Sequence, residues 1–304
     1  IEMLNPLTTL KEDCILQLKS GQKKRLKLPS HDWYDCPIVI PYYGGKYEMS
    51  KLFIPLVPPH KRYFEMFAGG LSMFFRKPKV EWNVVNDKDN NIVNLYMCVM
   101  HNLDDLIHYL NWLPKSRKLF LDFRTEIKEG NEFTIPDPLQ AAKYFYCIRH
   151  SFNKLIHTPF SKNKDMNKDW ETELKYSREH IGGTTVENLD FAELVEKYPP
   201  SRDDFWYLDP PYFIATDKGD YYMNNFDSED HFRFKEAVDA IDKGGAKFMI
   251  SYDHREEVKE LYSDYNIKTI ELKSYSGTTD KARLKKRKEY LILNYEPKSQ
   301  LGMF

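Results

Sequence analysis

The 304-residue chain balances 45 Lys and Arg against 46 Asp and Glu, a formal charge of −1, which excludes a polycation that nucleic acid simply wraps. With 41% hydrophobic residues it can bury a substantial core, as one large domain or as a core with a smaller lobe. No apolar run approaches the ~18 residues of a membrane span and no signal-like start is present, while Cys14, Cys36, Cys98 and Cys147 lack CxxC spacing or neighbouring histidines, so a reduced, intracellular chain without a metal site or disulfide framework is expected.

Residues 1–37 are a polar extension. Their basic run, Lys19, Lys23, Lys24, Arg25 and Lys27, reads as an arm lying on nucleic acid or as a ragged, solvated terminus. From Ile38 an apolar run enters the turn Tyr42-Tyr43-Gly44-Gly45 with Lys46 at its exit. Glu48 to Leu56 then predicts a short helix, stopped by Pro58-Pro59.

Tyr63 to Phe67 reads as a strand, and Ala68-Gly69-Gly70 as the turn into a helix beginning near Leu71. Val80 to Asn86 is a second strand ended by Asp87, and Asn91 to Met100 is helical. Strand, glycine turn, helix, strand and acidic residue make an α/β nucleotide-binding unit. Asp87 falls 23 residues after Phe64, near the spacing at which a carboxylate meets a ribose. The full G-x-G-x-x-G is absent, so the pattern points to an adenosine-bearing ligand without naming it.

From about 101 to 185 the strand and helix alternation stops for longer than an ordinary crossover. Leu103 to Leu113 and Leu139 to Phe152 look helical, and Ser161 to Trp170 is a polar loop. This stretch is expected to be an inserted lobe that carries substrate specificity. Alternation returns with strands at Thr185 to Asn188, Phe205 to Leu208, Ala246 to Ser251, Ile267 to Leu272 and Tyr290 to Tyr295, and helices at His231 to Ile241 and Glu256 to Tyr262. Such a chain predicts a mixed sheet whose last strands are antiparallel.

Asp209-Pro210-Pro211-Tyr212 follows the strand Phe205 to Leu208, beyond its carboxyl end, where open α/β sheets place ligands. The two prolines fix φ and donate nothing, which leaves rigid carbonyl acceptors. The Asp209 carboxylate and the Pro210 carbonyl can receive the two hydrogens of an exocyclic amine, and this returns electron density to its nitrogen as a bond to an incoming methyl forms. Tyr212 would stack on a base rotated out of its duplex.

These segments together resemble the Dam-type, D12-class, alpha-ordered DNA adenine N6-methyltransferases. The resemblance rests on Pro41 to Lys46, Tyr63 to Gly70, Asn86-Asp87 and Asp209 to Tyr212, and continues through Tyr222, Phe226, His231 and Ser251-Tyr252-Asp253. It implies a Rossmann-like S-adenosylmethionine-dependent methyltransferase sheet with an inserted, mainly helical target recognition domain at 101–185 between core parts at 38–100 and 186–304. It further implies that S-adenosyl-L-methionine is held by Tyr42, Lys46, Phe64, Glu65, Phe67, Gly69, Gly70, Asp87, Asp190 and Phe191, with Asp209, Pro210, Pro211 and Tyr212 catalytic. The implied partner is double-stranded DNA, with or without a restriction endonuclease companion, in the cytoplasm of a prokaryotic cell or phage-infected host.

Ile148 to Asn153 and Thr158-Pro159-Phe160 echo only part of the family's recognition stretch. Arg149 and Asn153 are therefore DNA-contact candidates for an open recognition sequence. Lys281 to Lys288, with Lys285, Lys286 and Arg287 at its centre, would suit a mobile loop on the DNA backbone. Lys51, Arg62 and Arg149 read equally as phosphate contacts or ordinary surface charges, and His231 as structural. Methylation of cytosine N4 fits the same corner, and a catalytically silent DNA-binding module is the alternative from another class. Cytosine C5 chemistry is disfavoured, since no cysteine follows a proline.

Overall fold

The computed structural model describes residues 13–17, 23–27, 40, 46–130, 133–152, 156, 158–161, 169–212, 226–275 and 284–297, with the backbone alone at 13–17, 23–27, 48, 272–275 and 284–287. Its centre is a parallel group: β3 (Arg62–Glu65), β4 (Trp82–Asn86), β5 (Thr185–Glu187), β6 (Asp204–Leu208) and β7 (Lys247–Asp253). Two long strands, β8 (Asn266–Tyr275) and β9 (Leu284–Leu293), form a hairpin with β9 antiparallel to β7. Beyond β8 lies a pair that the sequence left unplaced, β1 (Asp13–Gln17) and β2 (Lys23–Lys27). Among the described residues these nine strands make one sheet, ordered β2-β1-β8-β9-β7-β6-β3-β4-β5.

Successive residues of a strand face opposite sides of a sheet, and here both sides are apolar. Tyr63, Phe205 and Tyr207 belong to one core, whereas Phe64, Trp206 and Leu208 belong to the other. The first core is covered by α1 (Tyr47–Phe53), α2 (Asn90–His101), α3 (Leu103–Trp112), α4 (Arg117–Glu129), α5 (Pro138–His150) and α6 (Trp170–Ile181). The second is covered by α7 (Phe191–Lys197), α8 (Ser228–Lys243) and α9 (Glu256–Leu261). Burial on both faces explains why β6 reads as the unbroken run Phe-Trp-Tyr-Leu.

Helices α3 to α6 fill the crossover from β4 to its parallel neighbour β5. Their side chains Leu106, Phe120, Tyr146 and Leu174 share the core of Tyr63 and Tyr207. Among the described residues 101–185 is mainly helical, and these helices share one core with the inner side of the sheet.

Three expectations are corrected. No α-helix starts near Leu71: that residue has φ 49°, incompatible with a right-handed helix, and only a short 3₁₀ turn, Phe74–Arg76, precedes β4. The basic residues 23–27 lie in a strand paired with β1 rather than in a loose arm. Likewise Lys285, Lys286 and Arg287 lie within β9, opposite Ser274, Lys273 and Leu272, and not in a loop; hairpin pairing extends the strand past the apolar stretch that marked it in sequence. No helix among the described residues is long and apolar enough to cross a membrane.

Candidate active site

The carboxyl ends of β4, β3 and β6 lie side by side, so the segments that follow them meet at one edge of the sheet. Asn86, at the end of β4, ties its own segment to those that follow β3 and β5. Its Nδ2 donates to the carbonyls of Met66 and Leu189 at 3.0 and 3.1 Å, and its Oδ1 accepts from the Leu189 N–H at 2.9 Å. Sequence reasoning gave Asn86 only a place beside Asp87; its buried amide is the fastener of three loops.

Gly69 turns with φ 44°, a conformation a side chain rarely adopts. Its N–H donates to Asp87 Oδ2 at 2.8 Å, and its carbonyl accepts from the Tyr96 hydroxyl at 2.7 Å. The other Asp87 oxygen accepts from the Asp89 N–H at 3.0 Å. Burial, and then the nearby Asp89, push the Asp87 carboxyl up to about 7.

Glu65 is turned inward. Its Oε2 accepts from the Tyr63 hydroxyl at 2.6 Å and from the Phe74 N–H at 2.9 Å, closing the loop between them. Burial pushes this carboxyl up to about 8. Phe64 is buried and stacked on Trp206 at 4.0 Å, so its contribution is packing beneath the loop. Phe67, half-buried, meets Phe191, Phe226 and Phe234 at centroid distances of 6.2, 6.3 and 5.5 Å. Asp190 caps α7 through the Ala192 N–H, and its carboxylate also holds Lys88 and Arg233 at 3.1 and 3.0 Å.

Lys46 stands at the entry to α1, yet its ammonium crosses to the Pro-Pro corner. Nζ lies 2.7 Å from Asp209 Oδ1 and 3.0 Å from Oδ2, with Glu289 Oε2 at 3.9 Å and the Tyr212 ring centroid at 4.7 Å. The residue grouped with the cofactor in sequence thus sits on the proposed catalytic carboxylate. Ser251, on β7, donates to Asp209 Oδ1 at 2.9 Å, and Tyr207 lies 2.9 Å from the same serine oxygen. A hydroxyl has one proton to give, so with Ser251 donating to Asp209, Tyr207 must donate to Ser251. The result is a buried relay of donors, Tyr207 to Ser251 to Asp209. Tyr212 donates to Glu289 at 2.9 Å, and its ring lies against Tyr252 at 6.0 Å.

His231 is buried, bonded to the Tyr252 hydroxyl, and pushed down to about 4 by burial, which suits its structural reading. Arg149 spans α5 to α6: its Nη2 meets Glu173 Oε2 at 2.5 Å, with exposures of 9% and 14%. It does not offer an open guanidinium to DNA. Arg62 likewise forks onto Asp204 at 2.6 Å through two nitrogens. Tyr42 and Asn153 lie outside the described residues, as do the side chains of Lys285, Lys286 and Arg287.

The model of the D12 class N6 adenine-specific DNA methyltransferase family matches residues 42–275. Type II methyltransferase M1.LlaDCHI of Lactococcus lactis subsp. cremoris is 26% identical over 268 residues, 83% of this chain and 93% of that protein. Modification methylase StsI of Streptococcus sanguinis is 23% identical over 312 residues, 92% of this chain and 44% of that one. A DNA N-6-adenine-methyltransferase of Escherichia phage P1 is 25% identical over 244 residues, 73% of this chain and 30% of that protein. The matched span runs from before Lys46 to the end of β8 and takes in the glycine turn, Asp87, Asp209 and Ser251: the chain belongs to the D12 class of N6 adenine-specific DNA methyltransferases.

Proposed function

We propose that the corner Asp209-Pro210-Pro211-Tyr212 holds the N6 amine of an extrahelical adenine, and that S-adenosylmethionine lies along the Gly69 turn and Asp87 beside it. The observation that carries this reading is the Asp209 carboxylate, clamped by Lys46 and Ser251 at the end of β6, one strand from the glycine turn. The residues present fit the cofactor. The Asp87 carboxylate accepts backbone N–H groups of Gly69, Lys88 and Asp89, which leaves about one of its roughly four acceptor sites for a ribose hydroxyl, and Phe67 and Phe191 pack together as an apolar wall after the same strands. When bound, S-adenosylmethionine supplies an electrophilic methyl on a sulfonium.

The protein's own contribution is positional. Lys46 engages both Asp209 oxygens and Ser251 engages Oδ1, which leaves one of roughly four acceptor sites, on Oδ2, for an N6 hydrogen. The Pro210 carbonyl takes the other hydrogen. Both acceptors gain as the amine pyramidalises and turns acidic, so they favour the transition state over the bound base. Tyr212, its hydroxyl fixed on Glu289, receives the face of the base and offsets part of the unstacking cost of flipping. Helices α3 to α6 are the target recognition region, and Asn153 with the basic segment of β9 are the proposed DNA contacts.

Duplexes carrying adenine alone or cytosine alone in the acceptor strand, incubated with labelled S-adenosylmethionine, test this reading. Label is expected on adenine, and Asp209→Ala should lower turnover at least about a hundredfold with the thermal transition retained. An active Asp209→Ala variant would sink the proposed role of the corner.

A further inference from the structure

The 3₁₀ turn after the glycine loop buries a cation that the reaction above leaves unused. Arg76 is 1% exposed, and its Nε, Nη1 and Nη2 have no hydrogen-bond acceptor among the described residues. Its guanidinium lies 3.8 Å from the Tyr47 ring centroid. An aromatic face attracts a cation but does not satisfy five N–H donors. Buried ions are ordinarily paired, because leaving one alone forfeits its hydration without return.

No neighbouring carboxylate makes up the deficit. Lys77, next in the chain, is buried too, its Nζ donating to the Pro78 carbonyl at 2.8 Å and lying 4.1 Å from the Tyr63 ring centroid. Glu65, whose field reaches Lys77, is already held by Tyr63 and Phe74. Burial pushes Glu65 up to about 8 and Lys77 down to about 7, and no hydrogen bond joins Glu65 to the Arg76 nitrogens. The site has the charge, donor geometry and closure to water that suit one small anion.

We infer that Arg76 receives the α-carboxylate of the methyl donor, an assignment that rests on the cofactor site proposed above. Arg76 ends the turn that follows the glycine loop, and the ring it meets belongs to Tyr47, the chain neighbour of the Lys46 bound to Asp209. With the ribose at Asp87 and the sulfonium facing Asp209, the amino-acid tail is the part of the donor left to meet it, and its carboxylate matches a guanidinium fork.

Calorimetric titration of wild type, Arg76→Gln and Arg76→Lys with S-adenosylhomocysteine and with its decarboxylated analogue isolates the contact. Arg76→Gln should weaken S-adenosylhomocysteine about tenfold to a hundredfold and leave the analogue within about twofold, with Arg76→Lys between. Its unliganded melting temperature should hold or rise, since an unpaired buried ion is removed. Equal losses for both ligands, or none, would overturn the assignment, as would loss of inorganic phosphate binding alone, which would give the site to a free anion. Should Arg76→Gln fail to fold, wild type decides: at least about a tenfold preference for the carboxylate-bearing ligand supports the contact, and equal affinity overturns it. Wild type that binds neither nucleoside would instead remove the cofactor site itself.

Discussion

Replacing Ser251 by Ala tests the donor relay behind Asp209. The change removes one hydroxyl that donates to Asp209 Oδ1 at 2.9 Å and accepts from Tyr207 at the same distance. Tyr207, fully enclosed in the core, is left with an unsatisfied hydroxyl, a loss of about 1–3 kcal/mol. Asp209 is 21% exposed and keeps Lys46, so its share lies at the low end of the ~1.5–3 kcal/mol of a bond to a charged group. A net destabilisation of about 3 kcal/mol is expected in urea unfolding. Turnover should fall about tenfold to a hundredfold, because the carboxylate is freed to rotate about the one anchor left. Tyr207→Phe is the control: it keeps the bond from Ser251 to Asp209, should cost about 1 kcal/mol, and should change turnover less than about threefold. Single-turnover transfer of labelled methyl to an adenine duplex reads both variants. Ser251→Ala with turnover within about twofold of wild type would refute the positioning role, and a Tyr207→Phe variant equally slow would move that role to the phenol.

Asp87 should make cofactor binding depend on pH. Its carboxyl, ordinarily near 3.8 and here about 7, takes up a proton on folding between those values, so ligand-free stability from this group falls as pH rises from about 4 to 7. Ribose hydroxyls favour the ionised form, so S-adenosylhomocysteine affinity should rise from pH 6 to 8 in wild type and stay flat, and roughly tenfold weaker, in Asp87→Asn; a flat wild-type profile would contradict the ribose contact. Arg149→Ala should lower stability by about 1–3 kcal/mol by removing the cation that faces the half-enclosed Glu173 charge, and Glu173→Gln added to it should recover part of the loss. Unchanged stability with weakened DNA binding would return Arg149 to the DNA interface.

Much of this architecture is local and therefore legible in one dimension. Short apolar runs, an amphipathic helical period, proline stops and glycine turns mark β3, β4, β6, β7 and α8 to within a few residues, because each rests on contacts its own segment must make. The Asp209-Pro210-Pro211-Tyr212 corner is legible for the same reason: its rigidity is covalent. Helix α4 escaped notice, although Ser116 caps its start and Gly130, at φ 69°, closes its end; its exposed face is too polar for the apolar period to stand out. The strand pair β1 and β2 is not marked in the sequence because the strand that β1 joins, β8, lies some 250 residues away.

What the sequence by itself determined is the α/β order and the kinds of side chain gathered at the sheet edge, since both follow from periodicity, turn chemistry and residue type. Tertiary structure alone decided which of those side chains meet. Lys46 and Asp209 are 163 positions apart, and Ser251 is 42 beyond Asp209; only strand order brings them within bonding distance. The same packing draws Arg149 into an ion pair and leaves Arg76 without one, because a charge is satisfied by its neighbours in space, and those are set by the fold.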